Sequence, residues 1–204
     1  MTGLREQQKQ ARRDAIFRAA ARLFADQGYA ATTVEDVAAA AAVSVPTLYA
    51  YVSSKAGLIV ALYAHDRAQI DARKQAIIDR PGRDPERAIL AMLMTELKSG
   101  QDYLGHDVWR EIVATSIRRG GDYQAGLDRL NRQVFDEPVE RLLRELQRRG
   151  LIDASVQLSD AVATLSDLVL AVFHQELAHA YDWDWVESRM RAHVATLMCG
   201  LRKH

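Results

Sequence analysis

Apolar residues recur along this chain at intervals of three and four, the spacing of one helix face, and no stretch alternates in the manner of a strand. Ile16, Ala19, Ala20, Leu23 and Phe24 predict a first helix from about Arg12 to Gln27, with Gly28 placed to stop it. Val34, Val37, Ala38 and Ala41 predict a short second helix, and Thr33 with Asp36 three residues on forms a capping box at its start. After Ala42-Val43, Ser44 is an N-cap and Pro46 falls in the first turn of a third helix, where no intrahelical N–H is missed. The two short helices and their tight connection, residues 33–52, have the dimensions of a helix-turn-helix.

The rest of the pattern is helical too. Leu58, Leu62, Ile70 and Ile77 predict one connector helix from Lys55 to about Asp79, broken by the run Arg80-Pro81-Gly82-Arg83-Asp84-Pro85. Ile89, Leu90, Leu93, Met94 and Leu97 predict a helix ending at Gly100, and Val108, Ile112 and Val113 another from Asp107 to Arg118. A pattern from Tyr123 to Arg149 is interrupted by Pro138, which should kink or split it. From Leu158 to Ala180 the apolar residues occupy more than one face, so this helix needs cover on two sides. A last helix starts near Asp184. The expected class is all-α, with about nine helices: a three-helix domain over residues 1–55, a connector and linker over 56–83, and a helical bundle over 84–204.

The third helix has a face that self-packing does not require. Leu48 and Val52 share one side, Pro46, Thr47 and Ala50 point the opposite way, and Tyr49 and Tyr51 lie on the two edges. Small residues in the middle of an outer face permit close approach to a surface, and phenols on the edges can donate to phosphate oxygens on either wall of a groove. Lys55 stands at the start of the next helix, the unfavourable end of the dipole for a cation, where an anion would be its natural partner.

Composition narrows this. With 27 basic against 27 acidic residues in 204, no global field draws the protein to nucleic acid, so affinity must be local. Arg5, Lys9, Arg12 and Arg13 against Glu6 supply a basic segment, expected as an arm ahead of the first helix. Cys199 is the only cysteine, which excludes an intrachain disulfide and a multi-thiolate zinc site. Residues 1–14 are strongly polar and carry no signal pattern, which gives a cytoplasmic expectation without membrane attachment.

Phe24 to Gly28, Thr33-Val34-x-x-Val37-Ala38 and Val43-Ser44-x-Pro46-Thr47-Leu48-Tyr49-x-Tyr51-Val52-x-x-Lys55-x-x-Leu58 together resemble the DNA-binding domain of the TetR family of transcriptional regulators. The likeness covers about a quarter of the chain, and its Pro-Thr-Leu-Tyr core followed by a lysine is specific. It departs from the family pattern at Ala42, where a turn glycine is common, at Val52, where a bulky aromatic is usual, and at Ala56, where an acidic residue often follows the lysine. The resemblance implies DNA contacts from Thr33, Ser44, Val45, Pro46, Thr47, Tyr49, Tyr51 and Lys55: base edges for Val45, Pro46 and Thr47, phosphates for Thr33, Tyr49, Tyr51 and Lys55. It further implies a homodimer through the last two helices, double-stranded operator DNA as partner, a small-molecule effector that releases it, and no cofactor.

No catalytic or metal constellation competes. His174-Gln175-Glu176-Leu177-Ala178-His179 is superficially like the zinc-protease helix motif, but its histidines are five apart and so about 140° from each other on a helix. Asp167 and His174, seven apart on an apolar helix, are either a satisfied core pair, a cross-dimer hydrogen bond, or polar groups of an effector pocket with Met92, Met94, Tyr103, Trp109 and Phe135. Two rivals to the induced repressor remain at this stage: a helical enzyme carrying a DNA-binding module, and a helical DNA-binding adaptor or activator without small-molecule induction.

Overall fold

The computed structural model describes residues 3–52, 54–65, 68–119 and 121–201, and within them every regular element is helical. Ten α-helices and one π-helical turn follow one another: α1 (Leu4–Gln27), α2 (Val34–Ala40), α3 (Val45–Tyr49), α4 (Lys55–His65), α5 (Ala68–Asp79), α6 (Pro85–Arg119), α7 (Gly121–Asn131), the π turn Arg132–Asp136, α8 (Glu137–Arg148), α9 (Leu158–His179) and α10 (Trp183–Leu201). The all-α class holds, with one helix more than expected.

Local chemistry explains most boundaries. Gly28, at φ +83°, ends α1 with its N–H on the Phe24 carbonyl. The Thr33 capping box is complete: Asp36 N–H donates to Thr33 Oγ1 at 3.0 Å, and Thr33 N–H to the Asp36 carboxylate at 2.8 Å. Ser44 caps α3 and Ser54 caps α4, the latter by accepting from Gly57 N–H at 2.9 Å. Gly150, at φ +70°, closes α8 in a Schellman motif, with its own N–H on Gln147 O and the Leu151 N–H on Leu146 O.

Two expectations change. The basic segment is not an arm, because α1 begins at Leu4: residues 4–13 are Leu, Arg, Glu, Gln, Lys and Ala, all good helix formers with no breaker among them. Gly100 does not end a helix, since α6 runs unbroken from Pro85 to Arg119 and absorbs the glycine's propensity penalty of about 1 kcal/mol within a long helix. Of the expected connector helix the described residues give α4 and α5, and Asp66 and Arg67 between them lie outside the described residues.

The chain divides into two units. The first comprises Met1–Asp66 and Tyr103–Asp128. Its core joins Ile16, Phe17, Ala20 and Phe24 of α1 to Val34 and Val37 of α2, Leu48 of α3 and Leu58 and Leu62 of α4, with Val108 of α6 completing it. The second comprises Arg67–Asp102 and Arg129–His204. There Leu93 of α6, Leu142, Leu143 and Leu146 of α8, Leu165 and Val172 of α9, and Met190 and Val194 of α10 are all at most 1% exposed.

Pro138 splits its helix through the π turn. Lacking an N–H, it gives nothing to the carbonyl four residues earlier, that of Val134. That carbonyl accepts from Lys74 Nζ of α5, which also ion-pairs with Glu96 of α6. Lys74 and Glu96 are 2% and 7% exposed, so a buried ion pair fills the gap the proline leaves in the ladder.

Candidate nucleic-acid interface

In α3 the sequence separates into two faces as its periodicity demands. Leu48 is fully buried and Val52, just past the helix, is 6% exposed, while Pro46 and Ala50 lie open and Tyr49 is 47% exposed. Val45, Thr47 and Tyr51 are half-buried, and Val45 and Tyr51 pack against the core of the first unit. Fully burying a leucine contributes about 1.5–3 kcal/mol, so Leu48 is what seats a five-residue helix too short to form alone.

Hydrogen bonds fix the rest. Ser44 Oγ accepts from Thr47 N–H at 3.2 Å and shares a second bond with Thr47 Oγ1 at 2.7 Å, so the Thr47 hydroxyl is held in place before any partner arrives. Thr33 Oγ1 serves its capping box as an acceptor from the Asp36 N–H. The bonds from Thr33, with Lys55 nearby, hold the Asp36 carboxyl below the ordinary carboxylate value.

Two tertiary contacts here were invisible in the sequence. Tyr51 Oη donates to the main-chain carbonyl of Lys9, 42 residues away, at 3.4 Å. Lys55 Nζ sits 4.2 Å from the centroid of the Tyr29 ring and donates to the Ala30 carbonyl at 3.3 Å, so the cation expected to await an anion already lies against the α1–α2 loop. Tyr29 in turn meets Phe24 edge to face at 5.3 Å.

The turn between α2 and α3 is a Schellman motif built on a non-glycine. Ala42 N–H bonds Ala39 O, Val43 N–H bonds Ala38 O, and Ala42 takes φ +54°. An L-residue in that region is strained by about 1–2 kcal/mol, so the turn keeps its geometry without the glycine that would relax it.

On α1 the face that buries Ile16 and Ala20, and Leu23 in part, continues toward the N-terminus as Arg5, Lys9 and Arg12, all exposed. Arg13, on the same side, lies 5.4 Å over the Phe17 ring. One helix side therefore changes from apolar to cationic, and the Tyr51 bond to Lys9 joins that stripe to the end of α3.

The residues expected to line an effector pocket fall in both units. Met92, Met94 and Phe135 are buried in the second unit. Trp109 packs against the core of the first, and the Tyr103 side chain lies outside the described residues. Asp167 and His174 are exposed on α9. Partial desolvation beside Phe173 nevertheless holds the His174 imidazole below the ordinary histidine value.

These features define a class: an all-helical chain with a helix-turn-helix at its N-terminus whose second short helix offers a small-residue face edged by tyrosines. Residues 16–62 match the family model described as bacterial regulatory proteins, tetR family. The family recognised from the sequence is thus the one the comparison shows: this chain carries the DNA-binding domain of the TetR family. No curated protein matches it. Among solved structures, the chain is similar to the TetR-family repressor FadR of Thermus thermophilus in complex with lauroyl-CoA, at 18% identity and TM-score 0.75, over 94% of this chain and 96% of that one. It is also similar to FadR of Bacillus subtilis in complex with stearoyl-CoA, at 14% identity and TM-score 0.66, over 92% and 98% of the two chains. A Rhodococcus sp. protein assigned to the same family aligns at 20% identity and TM-score 0.67, over 95% of this chain and all of that one. At these identities the structures establish the fold.

Proposed function

We propose that this chain is a cytoplasmic homodimeric transcriptional repressor that leaves its operator when a small molecule binds. The observation that carries the DNA-binding half is the outward face of α3: exposed Pro46 and Ala50 and the preset Thr47 hydroxyl, with Tyr49 on one edge and Tyr51 on the other. Residues 1–55 would seat α3 in the major groove, with Pro46 and Thr47 against base edges and Val45 beside them. Thr33, Tyr49, Tyr51 and Lys55 would hold phosphates, the last two by exchanging the carbonyl partners they now have. Two copies multiply a weak single-module affinity, and half-sites about 34 Å apart present the same groove face to both.

Residues 84–204 would supply dimerisation, through α9 and α10, and the effector site, with residues 56–83 linking it to the DNA-binding domain. Buried Met92, Met94 and Phe135 suit an adaptable apolar pocket. Because two structural neighbours hold acyl-CoA, long-chain acyl thioesters are the first effectors to test. An effector acts only through unequal affinity for the two states of the dimer. No chemical step is part of this reading.

The test is footprinting of the intergenic DNA beside the gene, followed by binding with variants. Tyr51→Phe should weaken operator and unrelated duplex by the same factor, whereas Thr47→Val should change the ratio between them. Identical behaviour of the two variants would remove α3 from the groove. Acyl-CoA that neither stabilises the protein to heat nor lowers operator affinity would refute this effector class. A DNA-binding adaptor or activator, which no observation here favours, would be revealed by in vitro transcription that rises with added protein.

A further inference from the structure

Lys55 is held in place by a loop that lies far from it in the sequence. Its ammonium stands 4.2 Å from the centroid of the Tyr29 ring and donates to the Ala30 carbonyl at 3.3 Å, 25 residues back along the chain. Both partners belong to the segment between α1 and α2, so two neighbouring residues grip a side chain that opens another helix. The ring has little freedom of its own. Tyr29 is half-buried, meets Phe24 edge to face at 5.3 Å and packs on the core of the first unit, in which Phe24 is 4% exposed.

A lysine gives up more rotamer freedom on being fixed than most side chains do. A solvated lysine would lose that freedom on meeting a phosphate, whereas Lys55 has already lost much of it in folding. The two contacts differ in what they ask of the ammonium. A carbonyl competes with a phosphate oxygen for an N–H, but the face of the ring attracts the charge as a whole, so Lys55 can exchange Ala30 O for a phosphate oxygen and stay over Tyr29. A neutral ring also suits this task better than a carboxylate, which would cancel the charge that a phosphate is to meet. Asp36 feels the Lys55 charge, but its carboxylate accepts from the Thr33 N–H in the capping box.

We propose that Tyr29 is a positioning residue for DNA binding: its ring holds the Lys55 ammonium, before any DNA arrives, where a backbone phosphate meets it. This rests on the reading above in which Lys55 takes a phosphate, and it adds the residue that presents the cation. Tyr29 touches no DNA in this account. Its effect passes wholly through Lys55, so it raises affinity for every sequence alike and leaves the preference for the operator to α3.

The experiment replaces Tyr29 in the full chain by phenylalanine and by mono-, di- and trifluorophenylalanine, which keep the shape of the ring while fluorine drains the negative charge of its face. Operator, located by footprinting, and an unrelated duplex are titrated at several salt concentrations, with Lys55 intact and in a Lys55→Met background. With Lys55 intact, affinity should fall stepwise with each fluorine, the trifluoro ring being about fivefold weaker than Tyr29→Phe for each protomer engaged. Both duplexes should weaken by the same factor, and the slope of log K against log salt should stay as it was, because the lysine keeps its charge. In the Lys55→Met background the salt slope should drop by about 0.9 per protomer and the fluorine series should become flat. If Lys55→Met weakens binding but the series is flat with Lys55 intact, the ring does not position the cation and the phosphate contact stands alone. A series that persists without Lys55 means that the ring acts through the fold, and it too overturns the proposal. Lys55→Met that leaves operator affinity and salt slope unchanged overturns the phosphate contact and the positioning together.

Discussion

Single residues set the edges of the DNA-binding domain, and here the sequence was most readable. Thr33 with Asp36, Ser44, Pro46 and Gly28 act within four residues of themselves, so their chemistry needs no knowledge of the fold. Tyr51 and Lys55 were readable as polar groups near a surface, but their partners on Lys9, Tyr29 and Ala30 come from packing and have no local signature. Ala42 lies between these cases: an alanine where the family favours glycine signalled a question, and φ +54° answers it. Ala42→Gly should therefore stabilise the protein. Relief of about 1–2 kcal/mol of left-handed strain exceeds the 0.4–1 kcal/mol by which glycine favours the unfolded chain, so a net gain of about 0.5–1 kcal/mol is expected in urea unfolding. A loss would mean the turn relaxes in solution. At the end of α8, Glu145 accepts from Arg148 at 2.7 Å twice and from Arg149 at 2.7 Å, and these bonds bring its pKa from an ordinary 4.5 down to about 2. A carboxyl whose folded pKa is lowered contributes stability that is present above its unfolded pKa and lost as pH falls through the folded one. The last turn of α8 should fray between about pH 4.5 and 2, seen as loss of amide protection at 146–149, and Glu145→Gln should abolish that pH dependence.

At the level of elements, the pattern located helices better than it located their ends. Gly100 read as a stop because glycine weakens a helix, yet α6 continues through it: packing over 35 residues outweighs one propensity term. Pro138 was correctly read as a disruption, but the form it takes, a π turn whose Val134 carbonyl is met by Lys74, depends on a side chain 60 residues away. No periodicity reveals such a pairing, since a lysine on a predicted helix reads as solvated unless its acid is known to face it. The buried pair makes a sharp prediction. Lys74→Met takes the ammonium away from the buried Glu96 carboxylate and the Lys74 donor away from the Val134 carbonyl, and should destabilise by about 3–5 kcal/mol. The double variant Lys74→Met/Glu96→Leu removes both charges and should recover a large part of that loss in thermal or urea unfolding. If the double variant is worse than the single, the ion pair contributes net stability and is not simply tolerated.

For the molecule as a whole, equal numbers of acids and bases mean that DNA affinity has to come from placement, and the placement differs from an arm. Because α1 starts at Leu4, Arg5, Lys9 and Arg12 form a rigid stripe one helix face wide, tied by the Tyr51 bond to the end of α3. A flexible arm would lose conformational entropy on binding, whereas these cations are already ordered, so more of their phosphate attraction survives as affinity. Each phosphate neutralised adds about 0.9 to the slope of log K against log salt. If the stripe lies on the backbone, the triple variant Arg5→Gln/Lys9→Gln/Arg12→Gln should lower that slope by about 2–3 per protomer engaged, with glutamine preserving the helix. Because phosphates carry no sequence information, operator and unrelated duplex should weaken by the same factor, leaving their ratio as it was. Titrations of both duplexes at several salt concentrations decide the matter. An unchanged slope would confine the DNA contacts to α2, α3 and the start of α4, and a changed ratio would mean that α1 helps to position the recognition helix against the bases.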